Sequence, residues 1–242
     1  MKNKEITFGT CVRWGELALV AAILIAVLGK GIQSVEFFGD ESNWISTSYF
    51  IGPFLKGDIF SPVWQESYAT KNQPPVPRYI IGVARRIGGF KAKDLNTRWK
   101  FDLNDRANFE GGAMPSPDLL WWSRLPMTVF AVVSGGLLFL MVRQAAGRLA
   151  GYAVLILFIG NPFLLTTLRR AMAESPLVVF ILLAAYAGYR AMRSWRNVYC
   201  DSRSGTKRSF RALFWFSLMG IFVGLAAGAK LNGMSVLMAG LG

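Results

Sequence analysis

Histidine is absent from the 242-residue chain. That excludes any mechanism needing an imidazole base or metal ligand, serine–histidine triads among them. Cysteine is nearly as scarce. Cys11 and Cys200 stand alone in segments that read as cytoplasmic, so neither a disulfide nor a zinc motif is implied. Charged residues make up 17% of the chain, against about 25% in ordinary soluble domains. No internal repeat and no low-complexity linker interrupts the sequence.

What is present is apolar sequence in long uncharged runs. A helix needs about 20 mostly apolar residues to cross a bilayer. Leu125–Val142, Leu149–Leu168 and Ala212–Ala229 are uncharged throughout, and Ser175–Tyr189 is a shorter run whose flanking Arg190 and Arg193 can reach the headgroups. Leu17–Gly29 continues through Gly31–Val35 past Lys30, and another uncharged run, Leu231–Gly242, ends the sequence. The expected fold is an all-α membrane protein forming one domain over residues 1–242. About five spans are expected, with a sixth begun at the C-terminus. The basic start (Lys2, Lys4, Arg13) before an apolar segment resembles a signal peptide but lacks a small-x-small cleavage site in the right place.

The formal net charge is +13, and its placement decides between nucleic acid and membrane. Residues 35–118 carry ten basic and ten acidic residues, whereas Arg190–Arg211 carries seven basic residues and one acid, Asp201. Positive charge concentrated beside spans is the positive-inside pattern and argues against a nucleic-acid partner. Lys and Arg in the short loops put the N-terminus in the cytoplasm of an inner-membrane protein and the long loop, about residues 38–118, outside. Trp121 and Trp122 then stand at the outer end of the second span, as an aromatic belt would. Within the loop, Tyr79–Ile87 reads as a short amphipathic helix stopped by Gly88-Gly89.

Three outer clusters could carry chemistry. Asp40-Glu41 lies just beyond the first span; it could supply a general base or be a solvated loop acid. Gln73-Pro74-Pro75-Val76-Pro77-Arg78 reads as a stiff extended segment presenting an arginine, suited to a phosphate or to snorkelling. Arg169-Arg170 and Glu174 lie between the third and fourth spans, as a phosphate site or a helix-end ion pair. Lys230, near the outer end of the fifth span, could contact a phosphate or anchor the helix.

The order of these stretches, closing with Gly228-Ala229-Lys230-Leu231-Asn232-Gly233, resembles the protein O-mannosyltransferase and aminoarabinose-transferase group. These are membrane glycosyltransferases of the GT-C fold, and the likeness covers about residues 17–235. Gln73 stands where the mannosyltransferases have histidine, and Glu174 where aspartate is usual. The resemblance implies inverting transfer of a sugar from a polyprenyl phosphate to a protein or glycan hydroxyl outside the membrane, with no cofactor beyond the lipid-linked donor. Asp40 would be the base, aided by Glu41. Arg78, Arg169 or Arg170, and Lys230 would neutralise the departing phosphate, supported by Gln73, Pro74, Pro75 and Glu174. Members have many more spans and this chain stops inside an apolar run, so the resemblance implies the N-terminal part of a longer enzyme or a short form. The competing expectation is a non-catalytic membrane scaffold, subunit or transporter fragment. Transporters tend to place charges and helix breaks at the bilayer midplane, whereas here they cluster toward the outer interface.

Overall fold

The computed structural model describes residues 14–65, 73–199 and 205–230, and its regular structure there is entirely helical. Ten α-helices are described: α1 (Trp14–Gly29), α2 (Gly39–Ser46), α3 (Ile51–Leu55), α4 (Pro75–Ile87), α5 (Asp105–Glu110), α6 (Pro117–Ala146), α7 (Arg148–Gly160), α8 (Pro162–Arg169), α9 (Glu174–Tyr199) and α10 (Gly205–Ala229). Cys11, Cys200 and the run 231–242 lie outside the described residues.

Among the described residues, three helices are long and apolar enough to cross a membrane: α6, the Glu174–Arg196 part of α9, and the Phe210–Ala229 part of α10. This is a multi-pass, all-α membrane protein. The run 149–168 is not one straight helix. It breaks into α7 and α8 with a 70° bend, and it makes a fourth span only if the bent pair is counted as one. The cause is local. Asn161 is extended at ψ 106°, its side chain accepts from the Leu164 amide at 3.1 Å, and Pro162 follows at the first helical position. An asparagine cap with a proline next to it starts a new helix rather than continuing the old one. The first apolar segment forms only the 16-residue α1 and then turns at Lys30, short of the stretch expected to Val35.

Apolar packing joins α1, α6, α7 and α8 through Leu24, Leu28, Ala131, Phe139, Leu155 and Leu168, and α9 to α10 through Val179, Phe180, Ala226 and Ala229. A further cluster (Trp44, Ile45, Ile81, Leu119, Met127, Ala171) ties α2 and α4 to the start of α6 and to the turn before α9. At the opposite end, Glu16 of α1 accepts from Arg143 of α6 at 3.0 Å and from Arg148 of α7 at 3.1 Å. That end of the bundle is thus pinned by charged groups.

The loop helix appears where periodicity puts it, four residues longer at its start. Pro75 and Pro77, read from sequence as extended backbone, lie inside α4, and only Pro74 is extended, at ψ 145°. Proline loses little in the first turn of a helix, where its missing N–H has no partner to lose. Trp122 is not simply a belt residue, because its ring lies so close to Gly88 that an added Cβ would stand 2.6 Å from it.

Gly82, in the middle of α4, is what lets it dock. A Cβ there would stand 2.7 Å from the Ser48 carbonyl oxygen and from Ile51. Gly82→Ala is therefore expected to lower thermal stability in detergent, by about 1–3 kcal/mol if the helices must part. Gly136→Ala, whose Cβ would meet nothing within 4 Å, is the control that should hold its melting temperature. Equal behaviour of the two variants would refute the close approach of α4.

Candidate functional site

The site is assembled around a charge pair that spans 83 residues of sequence. Arg124 stands in the first third of α6 and is fully buried, as is Glu41 of α2. Arg124 Nε donates to Glu41 Oε1 at 2.7 Å and Nη2 to Oε2 at 2.6 Å, a bidentate pair. Nη1 donates to the carbonyls of Ile32 (2.9 Å) and Val35 (2.8 Å), and Nη2 also reaches Glu36 O at 3.5 Å. Each guanidinium nitrogen is engaged, and the segment leading into α2 is clamped to α6.

Glu41 completes the joint. Its Oε2 also accepts from the Phe38 amide at 3.2 Å, closing the N-terminus of α2 upon itself. Its Oε1 accepts from the Ala171 amide at 2.8 Å. That last bond draws the turn 170–173, and with it Arg170 and the start of α9, against α2. Gly39 permits the geometry, since a Cβ there would stand only 2.9 Å from atoms of the Trp99 ring.

Asp40 is the neighbour of this hub and is only half-buried. Its carboxylate makes no hydrogen bond to the described residues. Partial burial, then the nearby Glu174 carboxylate, push its pKa above the ordinary aspartate range, and Lys230 pulls the other way. Lys230 Nζ donates to Glu174 Oε1 at 2.8 Å, while Glu174 Oε2 is buried and unmatched among the described residues. Arg170 lays its guanidinium 4.8 Å from the centre of the half-exposed Phe38 ring, with its Nε buried and unmatched among the described residues. Asp40, Glu174 and Lys230 therefore share one electrostatic neighbourhood, and the turn held by Glu41 carries Arg170.

The other expected residues are placed differently. Arg169 spends its guanidinium on the last carbonyls of α1, with Nε 3.0 Å from Leu28 O and Nη2 on Val27 O. It caps that helix from outside, where cationic donors suit the exposed carbonyls. Arg78 is 2% exposed, donates to Gln73 O at 2.7 Å and stacks 5.1 Å over the Phe50 ring. Gln73, Pro74 and Pro75 form the approach to α4 and its first turn. Glu41 has both carboxylate oxygens committed to hydrogen bonds from Arg124, Phe38 and Ala171.

Sequence reasoning missed Arg124. It bounds the uncharged run beginning at Leu125. The signal was a charge beside Trp121-Trp122 in a helix continuous from Pro117, an interfacial arginine that needs a partner. Arg85 was missed as well. It is buried, and its Nε donates to Ser48 Oγ at 2.8 Å and its Nη1 to Phe90 O at 2.8 Å. Burial and the adjacent Arg86 push its pKa down to about 10.

Residues 64–241 match the family model of the dolichyl-phosphate-mannose-protein mannosyltransferases. The chain belongs to this family. Comparison with curated proteins and with solved structures gives no match. Membership makes it a membrane glycosyltransferase of the GT-C type in the broad sense. The matched stretch takes in Gln73 to Arg78, Arg169, Arg170, Glu174 and Lys230; Asp40 and Glu41 precede it.

Proposed function

We propose that this mannosyltransferase-family chain moves a sugar from a polyprenyl-phosphate donor to a hydroxyl of a protein or glycan acceptor, inverting the anomeric carbon. The reaction takes place at the extracytoplasmic face of the cell membrane, with the N-terminus in the cytoplasm. The observation that carries the reading is the grouping of Asp40, a carboxylate with no hydrogen bond to the described residues, with Lys230 and Glu174 where α2, α9 and α10 meet. Asp40 takes the proton of the attacking hydroxyl, and its raised pKa makes it a better base than an ordinary aspartate. Lys230 and Arg170 neutralise the lipid phosphate as it leaves. A single displacement inverts the centre and needs no covalent intermediate. A monophosphate can be met by these cations without a metal. An arriving phosphate competes with Glu174 for Lys230, while Arg78 holds the start of α4 and Arg169 the end of α1.

The test is transfer from radiolabelled polyprenyl-phosphate sugars in membranes expressing the chain, with the anomeric configuration of the product read by NMR. Inverted product is expected, and retained configuration or no transfer from any such donor defeats the reading. The pH profile carries a sign. The base must be ionised, so the rate should fall as pH drops through the raised Asp40 pKa. Glu174→Gln removes a charge that raises that pKa and should move the acid limb to lower pH. Lys230→Gln removes one that lowers it and should move the limb up. Both variants shifting the same way would contradict the arrangement.

A further inference from the structure

The end of α9 and α10 remote from Asp40 holds a second group of charges that sugar transfer does not use. Arg190 lies about 24 Å along α9 from Glu174, at 1.5 Å per residue. If Glu174 sits at one interface of a hydrocarbon core about 30 Å thick, Arg190 lies just beneath the headgroups of the other leaflet. A guanidinium there is too deep for free hydration and needs a built environment. It has one on three sides. Its Nη1 donates to the Tyr186 hydroxyl at 2.6 Å, and its plane lies 5.6 Å from the Tyr186 ring and 4.8 Å from the Trp215 ring. Tyr186 and Trp215 meet edge to face at 6.1 Å, so the two rings form a corner that fixes the guanidinium. What it lacks is an anion, for no carboxylate among the described residues pairs with it. Glu16, an acid at this end of the bundle, is taken by Arg143 and Arg148.

The surroundings have the same sign. Arg196 and Arg211 are exposed nearby, and Arg211 stands one turn from Trp215 on the same face of α10. The intervening sequence adds Arg203, Lys207 and Arg208 against the single acid Asp201.

We infer that Arg190, oriented by Tyr186 and Trp215 and supported by Arg211, binds the phosphodiester headgroup of an anionic phospholipid in the leaflet opposite the proposed sugar-transfer site. Basic pockets between helices at a membrane surface take such headgroups, and aromatic stacking fixes the guanidinium for bidentate contact with phosphate oxygens. The site is independent of the transfer chemistry and stands or falls separately from it.

The test uses the purified full chain in a neutral detergent, with melting temperature followed during titration with phosphatidylglycerol, phosphatidylcholine and soluble glycerol phosphate. Phosphatidylglycerol is expected to raise the melting temperature, and the other two are not. Arg190→Gln and Arg211→Gln should each weaken the phosphatidylglycerol response about fivefold in apparent affinity. Arg211 is exposed, so its variant keeps the test meaningful if Arg190→Gln folds poorly. Arg106→Gln, at an exposed arginine of α5 that pairs with Glu110, is expected to respond like the parent chain. Equal stabilisation by phosphatidylglycerol and phosphatidylcholine overturns the proposal. So does an unchanged response in both Arg190→Gln and Arg211→Gln. A shift with glycerol phosphate as large as that with the lipid would make this a free-anion site instead.

Discussion

Replacing Arg124 with methionine is expected to destabilise the protein by about 3–5 kcal/mol, the cost of leaving a buried carboxylate without its partner. Glu41 is fully buried, and two of its four hydrogen bonds come from Arg124. The same change releases the carbonyls of Ile32, Val35 and Glu36, so the approach to α2 loses its clamp as well. Glu41→Gln should cost a comparable amount, because it strands the guanidinium instead. The pair as a whole is a different quantity. Two buried charges forfeit solvation that their attraction repays only in part, so the double variant Glu41→Gln/Arg124→Met should lose clearly less than the sum of the singles. Denaturant titration in detergent measures all three. Single variants costing under about 1 kcal/mol, or strict additivity, would show that this joint does not hold the outer end together. The folded fraction of either single variant should also transfer sugar poorly, since the Glu41–Ala171 bond sets where Arg170 stands relative to Asp40.

Asp40→Asn is expected to reduce sugar transfer by about 10²–10⁴-fold, the usual contribution of a positioned general base. The fold should survive, because the Asp40 carboxylate bonds to none of the described residues and stands beside a like charge on Glu174 that raises its pKa. Removing a partly buried charge in that setting does not strand a partner. The result should therefore be a loss of turnover with an unchanged melting temperature, unlike the Arg124 case, where stability falls first. Asp102→Asn, at an exposed loop position, is the control expected to keep its rate. Transfer that persists in Asp40→Asn at the parent rate would remove Asp40 from the mechanism while leaving the family assignment standing. A melting temperature that falls along with the rate would point to a structural role instead.

The sequence by itself determined the class of the protein, the position of its apolar helices and the place of the amphipathic α4. Each of these depends on residues within a few turns of one another. Uncharged runs select the membrane, and the periodicity of Tyr79–Ile87 closed by Gly88-Gly89 marks a helix, although its start at Pro75 fell in the stretch read as extended. The order of the charged stretches along the chain also sufficed to point to the mannosyltransferase group. What the sequence left open was which charge meets which. Arg78, Arg169, Arg170 and Lys230 are equivalent cations when read along a line. The tertiary structure spends Arg169 on the carbonyls of α1, stacks Arg78 on Phe50 and sets Lys230 on Glu174. It also separates adjacent acids: Glu41 is consumed by Arg124, and Asp40 is left beside the Glu174–Lys230 pair. The physical reason is that a buried charge is satisfied by whatever partner packing brings within about 3 Å, and that partner lies on another helix. Hydrophobic periodicity records which face of a helix turns inward, but carries no information about the residue it will find there.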